Sequence, residues 1–113
     1  TIGRVAINKV PIATNQGFKN IIIKDNKLVS YKFVAFMIKS LENEMNTLAT
    51  GSTFKELSKT AFGNLEIPLP SMTIQKEIVN DLEINQKNIE ELKEKIKNYE
   101  IKIQEKIKKV WKD

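Results

Sequence analysis

The sequence predicts an α+β fold in which a small globular part, residues 1–70, leads into a long C-terminal helix over residues 71–113 that pairs as a coiled coil. Three observations carry that reading. Short apolar alternations bounded by turn residues lie near the N-terminus and again at Leu65, Ile67 and Leu69, as half-buried strands require. Between them Val34, Met37, Ile38, Leu41, Met45 and Leu48 recur at spacings of three and four, which is one stripe of an amphipathic helix. After Ser71 neither Gly nor Pro recurs, Lys, Glu, Ile and Asn dominate, and apolar side chains return every seven residues.

Taken in order, Ile2, Val5 and Ile7 form a first strand, and Phe18 with Ile21, Ile22 and Ile23 a second. The stretch between them, Ala13-Thr14-Asn15-Gln16-Gly17, has turn chemistry, because Asn tolerates a left-handed backbone and Gly17 adopts one without a steric penalty. Asp25 and Asn26 end the second strand. Ser30 is the N-cap of one helix that runs through the apolar stripe to Gly51, its C-terminal cap. A small polar loop, Gly51-Ser52-Thr53-Phe54-Lys55, carries one aromatic and precedes a short helix over residues 58–62. The alternation at residues 65–69 contains Pro68, with Pro70 just beyond, which confines it to a sheet edge or an extended connector.

The C-terminal segment spans some 55 to 60 Å as a helix at ~1.5 Å per residue. Leu82, Ile89, Ile96, Ile103 and Val110 fall seven apart, with Asn85, Leu92, Tyr99 and Lys106 at the intervening d positions. That period is the seam of a left-handed coiled coil. Glu83 with Lys87, Glu91 with Lys95 and Glu105 with Lys109 are i,i+4 pairs of the favourable sense, each adding roughly 0.2 to 0.5 kcal/mol. Such a helix exposes its seam until a partner helix covers it. Asn85 is either an imperfect seam position or a polar residue that fixes register, whereas Lys106 snorkels near the helix end.

Composition narrows the chemistry. The 113 residues contain neither His nor Cys. A disulfide framework, a thiol nucleophile, a Ser-His-Asp triad and a Cys- or His-type metal site are thereby excluded, and no metal ligand set is predicted. The four glycines make neither a phosphate-binding loop nor a dinucleotide fingerprint. Glu91-Leu92-Lys93 matches the end of some nuclease motifs, but it lies on the heptad helix with Leu92 in the seam. The acids lie mostly among lysines on that solvated helix, and no pair of carboxylates stands out for acid/base work. No catalytic residue is predicted, and the chain is read as non-catalytic. No apolar run approaches a membrane span and the N-terminus lacks the charged-then-apolar pattern of a signal peptide, so a soluble, cytoplasmic chain without a membrane partner is expected. Thr1 opens directly into an apolar alternation, which suggests a fragment of something longer.

The formal net charge of +5 is unevenly placed. Residues 1–41 carry seven basic residues against Asp25 alone, a net +6; residues 42–73 carry −2; residues 74–113 carry ten Lys against nine acids, a net +1. A one-signed region of this kind favours a polyanion, although a solvated basic face has the same composition. Asn15 and Gln16 at the turn, between Arg4 and Lys19, can present amides to base edges and cations to phosphates. An ordinary polar turn that caps its own backbone fits the same residues. Ser52, Thr53 and Lys55, with Lys59 just beyond, can grip a phosphate; a plain helix-ending loop reads the same way.

A set of ordered motifs adds to this reading. Thr1-Ile2-Gly3-Arg4-Val5-Ala6-Ile7, Ala13-Thr14-Asn15-Gln16-Gly17-Phe18, Leu48-Ala49 with Gly51-Ser52-Thr53-Phe54-Lys55-Glu56-Leu57-Ser58, and Ile67-Pro68-Leu69-Pro70 with Gln75-Lys76-Glu77-Ile78 resemble the specificity (S) subunits of type I restriction-modification enzymes. The heptad helix occupies the family's place after them, so the resemblance spans the chain. It implies a partial target recognition domain over residues 1–70, reading half of a split DNA sequence, and a spacer helix over residues 71–113. The resemblance further implies an antiparallel helix pair whose length sets half-site spacing. The second helix would come from the same full-length chain or from a homodimer of this fragment. The implied partners are double-stranded DNA and the methylation and restriction subunits, which carry S-adenosylmethionine, ATP and Mg2+; none of these cofactors is implied on this chain. The family's pattern begins earlier in the recognition domain than Thr1 does.

Two other functions fit. One is an assembly module whose seam pairs helices without DNA contact. The other is the specificity region of a single-chain methyltransferase-nuclease, which shares this kind of recognition domain.

Overall fold

A computed structural model describes residues 2–112. Thr1, which opens the first family-like motif, and Asp113, the end of the predicted helical region, lie outside the described residues. Four helices follow one another: α1, Tyr31–Ser40; α2, Glu42–Leu48; α3, Lys59–Gly63; and α4, Met72–Lys112.

Serines start three of them. The first N–H groups of a helix have no partner within it, and a hydroxyl placed just before supplies one. The Ser30 Oγ accepts from Phe33 N at 3.3 Å, the Ser58 Oγ from Ala61 N at 3.0 Å, and the Ser71 Oγ from Ile74 N at 3.5 Å. The predicted short helix accordingly appears as α3, and the predicted long helix as the 41 residues of α4.

The single helix expected from Ser30 to Gly51 is instead two. Leu41, at φ −93° and ψ 13°, leaves the helical region, and its N–H bonds Ile38 O at 3.0 Å, one residue short of the α-helical span. Beside it the Ser40 hydroxyl donates to Met37 O at 2.6 Å, a side-chain bond that competes with the helix ladder. The apolar stripe continues through the break: Val34 and Met45 are buried, while Met37, Ile38 and Leu41 are half-buried. Gly51 does not cap α2, whose last residue, Leu48, is followed by the extended Ala49.

The strands predicted over residues 2–7, 18–23 and 65–69 do not form, so the fold is α, not α+β. Among the described residues strand-type pairing is limited to one antiparallel bridge, Thr50 with Glu56. A strand persists where a neighbour takes up its alternate N–H and C=O groups, and these runs meet no such neighbour. Turns serve their backbone instead. The Asn15 Oδ1 accepts from Gly17 N at 2.9 Å and the Asn15 O from Phe18 N at 3.2 Å; Asp25 does the same for Lys27, Leu28 and Val29. The turn at Asn15 needs no left-handed residue, and Gly17 is not in that region. Left-handed backbone occurs at Gly3, φ 95°, and Gly51, φ 120°. A Cβ on Gly3 would meet the Glu42 side chain, so the N-terminal segment packs closely on the start of α2.

The chain divides into two compact units, one ending at Val79 and one beginning at Asn80. The first unit buries Phe33, Val34, Met45, Leu57 and Val79 around one polar side chain, Gln75, which is 0% exposed. Gln75 Nε2 donates to Leu28 O at 3.0 Å and to Pro70 O at 2.8 Å, and its Oε1 accepts from Ser30 N at 2.8 Å. Both amide hydrogens and the amide oxygen are thus used. One side chain in the first turns of α4 holds the entry to α1 and the segment before α4. The second unit, residues 80–112, is helical throughout.

Candidate nucleic-acid interface

Arg4 follows the Gly3 turn and is exposed. Asn15 and Gln16 form the next turn, with both side chains exposed and Lys19 half-buried just after them. The Asn15 carboxamide oxygen is engaged within its own turn, the self-capping arrangement that a polar turn adopts. Thr14 and Asn20 close the same segment through a 2.8 Å bond from Asn20 Nδ2 to Thr14 Oγ1.

Ser52, Thr53 and Lys55 stand together on a loop that the backbone closes. Thr50 N donates to Glu56 O at 3.0 Å, and Glu56 N returns to Thr50 O at 2.9 Å. Within the loop a Cβ on Gly51 would collide with the carbonyl of Phe54. Gly51 is required both for its positive φ and for that close approach. Ser52, Thr53, Phe54 and Lys55 are all exposed, and the exposed Lys59 opens α3 four residues later. Among the described residues no hydrogen bond joins this loop to the Asn15 turn.

On α4, Ile89, Leu92, Ile96, Tyr99, Ile103 and Val110 are exposed apolar side chains, Ile96 to 57%. Asn85 and Lys106 are exposed with them, and Leu82 is half-buried. Lys102 Nζ lies 5.6 Å from the centre of the Tyr99 ring, covering part of one seam residue with a cation. Ile107, four residues after Ile103 and three before Val110, also carries an exposed apolar side chain where Lys106 interrupts the seam. Its spacing of four and then three was the available signal. Gln75 had one as well, since an uncharged amide stands seven residues before Leu82, in phase with the apolar stripe.

Among the described residues no group of three or more His, Cys, Asp or Glu side chains is placed to hold a metal ion. No helix there is long and apolar enough to cross a membrane.

Exposed cations, hydroxyls and amides thus stand on the turns of the first unit, and exposed apolar side chains recur along α4. The family model of the type I restriction modification DNA specificity domain matches residues 1–107, and the chain belongs to that family, whose role is selection and not catalysis. Over 101 residues it is 41% identical to the type I restriction enzyme MjaIX specificity subunit of Methanocaldococcus jannaschii. That alignment covers 84% of this chain and 23% of the relative, so the chain spans about a quarter of that protein's length.

Proposed function

We propose that the chain supplies sequence recognition of double-stranded DNA, and the spacing between half-sites, to a cytoplasmic type I restriction-modification complex. The observation that carries this reading is the family match over residues 1–107, which takes in the first compact unit and most of the second. The exposed basic and polar side chains of the first unit support it, as does the +6 charge of residues 1–41. In this reading residues 1–70 are part of a target recognition domain and residues 71–113 a spacer. Arg4, Lys19, Lys55 and Lys59 face phosphates, while Asn15, Gln16, Ser52 and Thr53 lie against backbone or base edges.

The seam of α4 pairs with an antiparallel helix, from a second copy or from elsewhere in a longer chain. Methylation and restriction subunits provide S-adenosylmethionine, ATP and Mg2+. Charge reversal at Arg4, Lys19 and Lys55 tests the DNA reading. With helicity preserved, affinity for duplex DNA falls and the slope of log K against log salt becomes shallower by about 0.9 for each phosphate the variant no longer neutralises. Unchanged affinity and slope would remove these residues from the interface.

The exposed seam also favours a second reading, a helix-pairing module whose first unit does not touch DNA. Wild-type chain that pairs yet leaves duplex DNA unbound at low salt would establish it.

A further inference from the structure

Phe54 is 87% exposed, yet it sits on a loop fixed at both ends. The paired Thr50 and Glu56 close the base of the loop, and the Phe54 carbonyl fills the space beside Gly51. The backbone of Phe54 is therefore turned into the loop while its ring is left in water. An aromatic ring held there gains nothing for folding, because its apolar area stays hydrated. Its neighbours indicate what covers it. Ser52, Thr53 and Lys55 are exposed on the same loop and Lys59 opens the next helix, so hydroxyls and two cations are the ring's neighbours along the chain. The nearest carboxylate in sequence, Glu56, lies at the loop base and not on the loop. An acidic partner with flat apolar faces matches that set, and nucleic acid combines phosphates with bases.

Resting on the DNA reading above, we infer that Phe54 is a stacking wedge: its ring enters the duplex at a base step while Ser52, Thr53 and Lys55 hold the flanking phosphates. Apolar side chains used in this way unstack one step and gain the base face they expose. Aromatic stacking on a base changes affinity by roughly five- to 150-fold when the ring is removed. A duplex with a missing base has less stacking to lose and is the better ligand for a wedge.

The test uses the whole chain and two short random-sequence duplexes, one intact and one with a central abasic site. Wild type binds the abasic duplex roughly tenfold more tightly, in line with a stacking contribution of about 1.4 kcal/mol. Phe54→Ala keeps its helicity and its salt slope but loses that preference, and Phe54→Tyr restores most of it. The chain has one Trp, so Phe54→Trp in a Trp111→Phe background is a specific reporter, and its emission is quenched when the abasic duplex binds. Phe54→Ala that keeps the preference, or a Trp reporter whose emission ignores bound DNA, overturns the wedge while leaving the DNA reading intact. Emission that responds to purified methylation subunit and not to DNA overturns it by assigning the ring to a protein contact. Wild type that binds neither duplex at low salt removes the wedge together with the DNA reading.

Discussion

Gln75 is the one buried polar side chain among the described residues. Its amide satisfies Ser30 N, Leu28 O and Pro70 O from a fully buried position, so its loss leaves three backbone groups without that partner. At about 1 kcal/mol or more for each unsatisfied buried group, Gln75→Leu should cost about 3 kcal/mol, measured by urea denaturation. Gln75→Glu should cost at least as much, since a carboxylate cannot donate to Leu28 O and Pro70 O and buries a charge. A Glu variant as stable as wild type would show that these two bonds do not matter. Gly51 makes a narrower prediction. Gly51→Ala places a Cβ against the Phe54 carbonyl at φ 120°, and should destabilise by about 1 kcal/mol or more. Hydrogen exchange should report it locally, as faster exchange at the Glu56 N–H that closes the loop.

The elements differ in what holds them. α1 and α3 are short, begin at serine caps, and depend on packing, because isolated helices of their length are marginal in water. Ser30→Ala should lower stability by about 1 kcal/mol, read by thermal denaturation. α4 has 41 residues, repeated i,i+4 charge pairs and a seam of exposed apolar side chains, so its second half gains most from a partner helix. Sedimentation of wild type beside the double variant Ile89→Asp, Ile96→Asp measures this. The wild-type chain should associate and the variant should be monomeric, whereas two monomers would rule out self-pairing and leave a helix from another chain.

Charge is distributed unevenly over the chain. Residues 1–41 hold the positive excess, while residues 74–113 are nearly neutral at +1. Neutralising Lys93 and Lys97 on α4 should therefore leave the salt dependence of DNA binding unchanged, and neutralising Arg4 and Lys19 should reduce it, as filter binding over a salt series will show. Equal effects from both pairs would mean that the helix also follows the phosphate backbone.

Much of this organisation was legible in the amino-acid order because its causes are local. Ser30 followed by apolar periodicity marks the start of α1, since a cap and an i→i−4 bond join residues a few positions apart. Ser58 and Ser71 cap α3 and α4 in the same way, although the sequence alone puts Ser58 inside its helix and marks Ser71 only by a change of composition. The heptad of α4, the change in composition at Ser71 and the basic N-terminal segment are likewise properties of the sequence alone. The alternations at residues 2–7, 18–23 and 65–69 misled because a strand is defined by its neighbour, and no periodicity reveals whether that neighbour is present. Tertiary structure alone decided that these segments stay irregular and that the helix breaks at Leu41 while its apolar stripe runs on. It also decided that Gln75 turns inward to hold three backbone groups, and that the closed loop leaves Phe54 in water. Each of these depends on which groups meet at hydrogen-bond or van der Waals distance once the whole chain has folded, which local propensity does not encode.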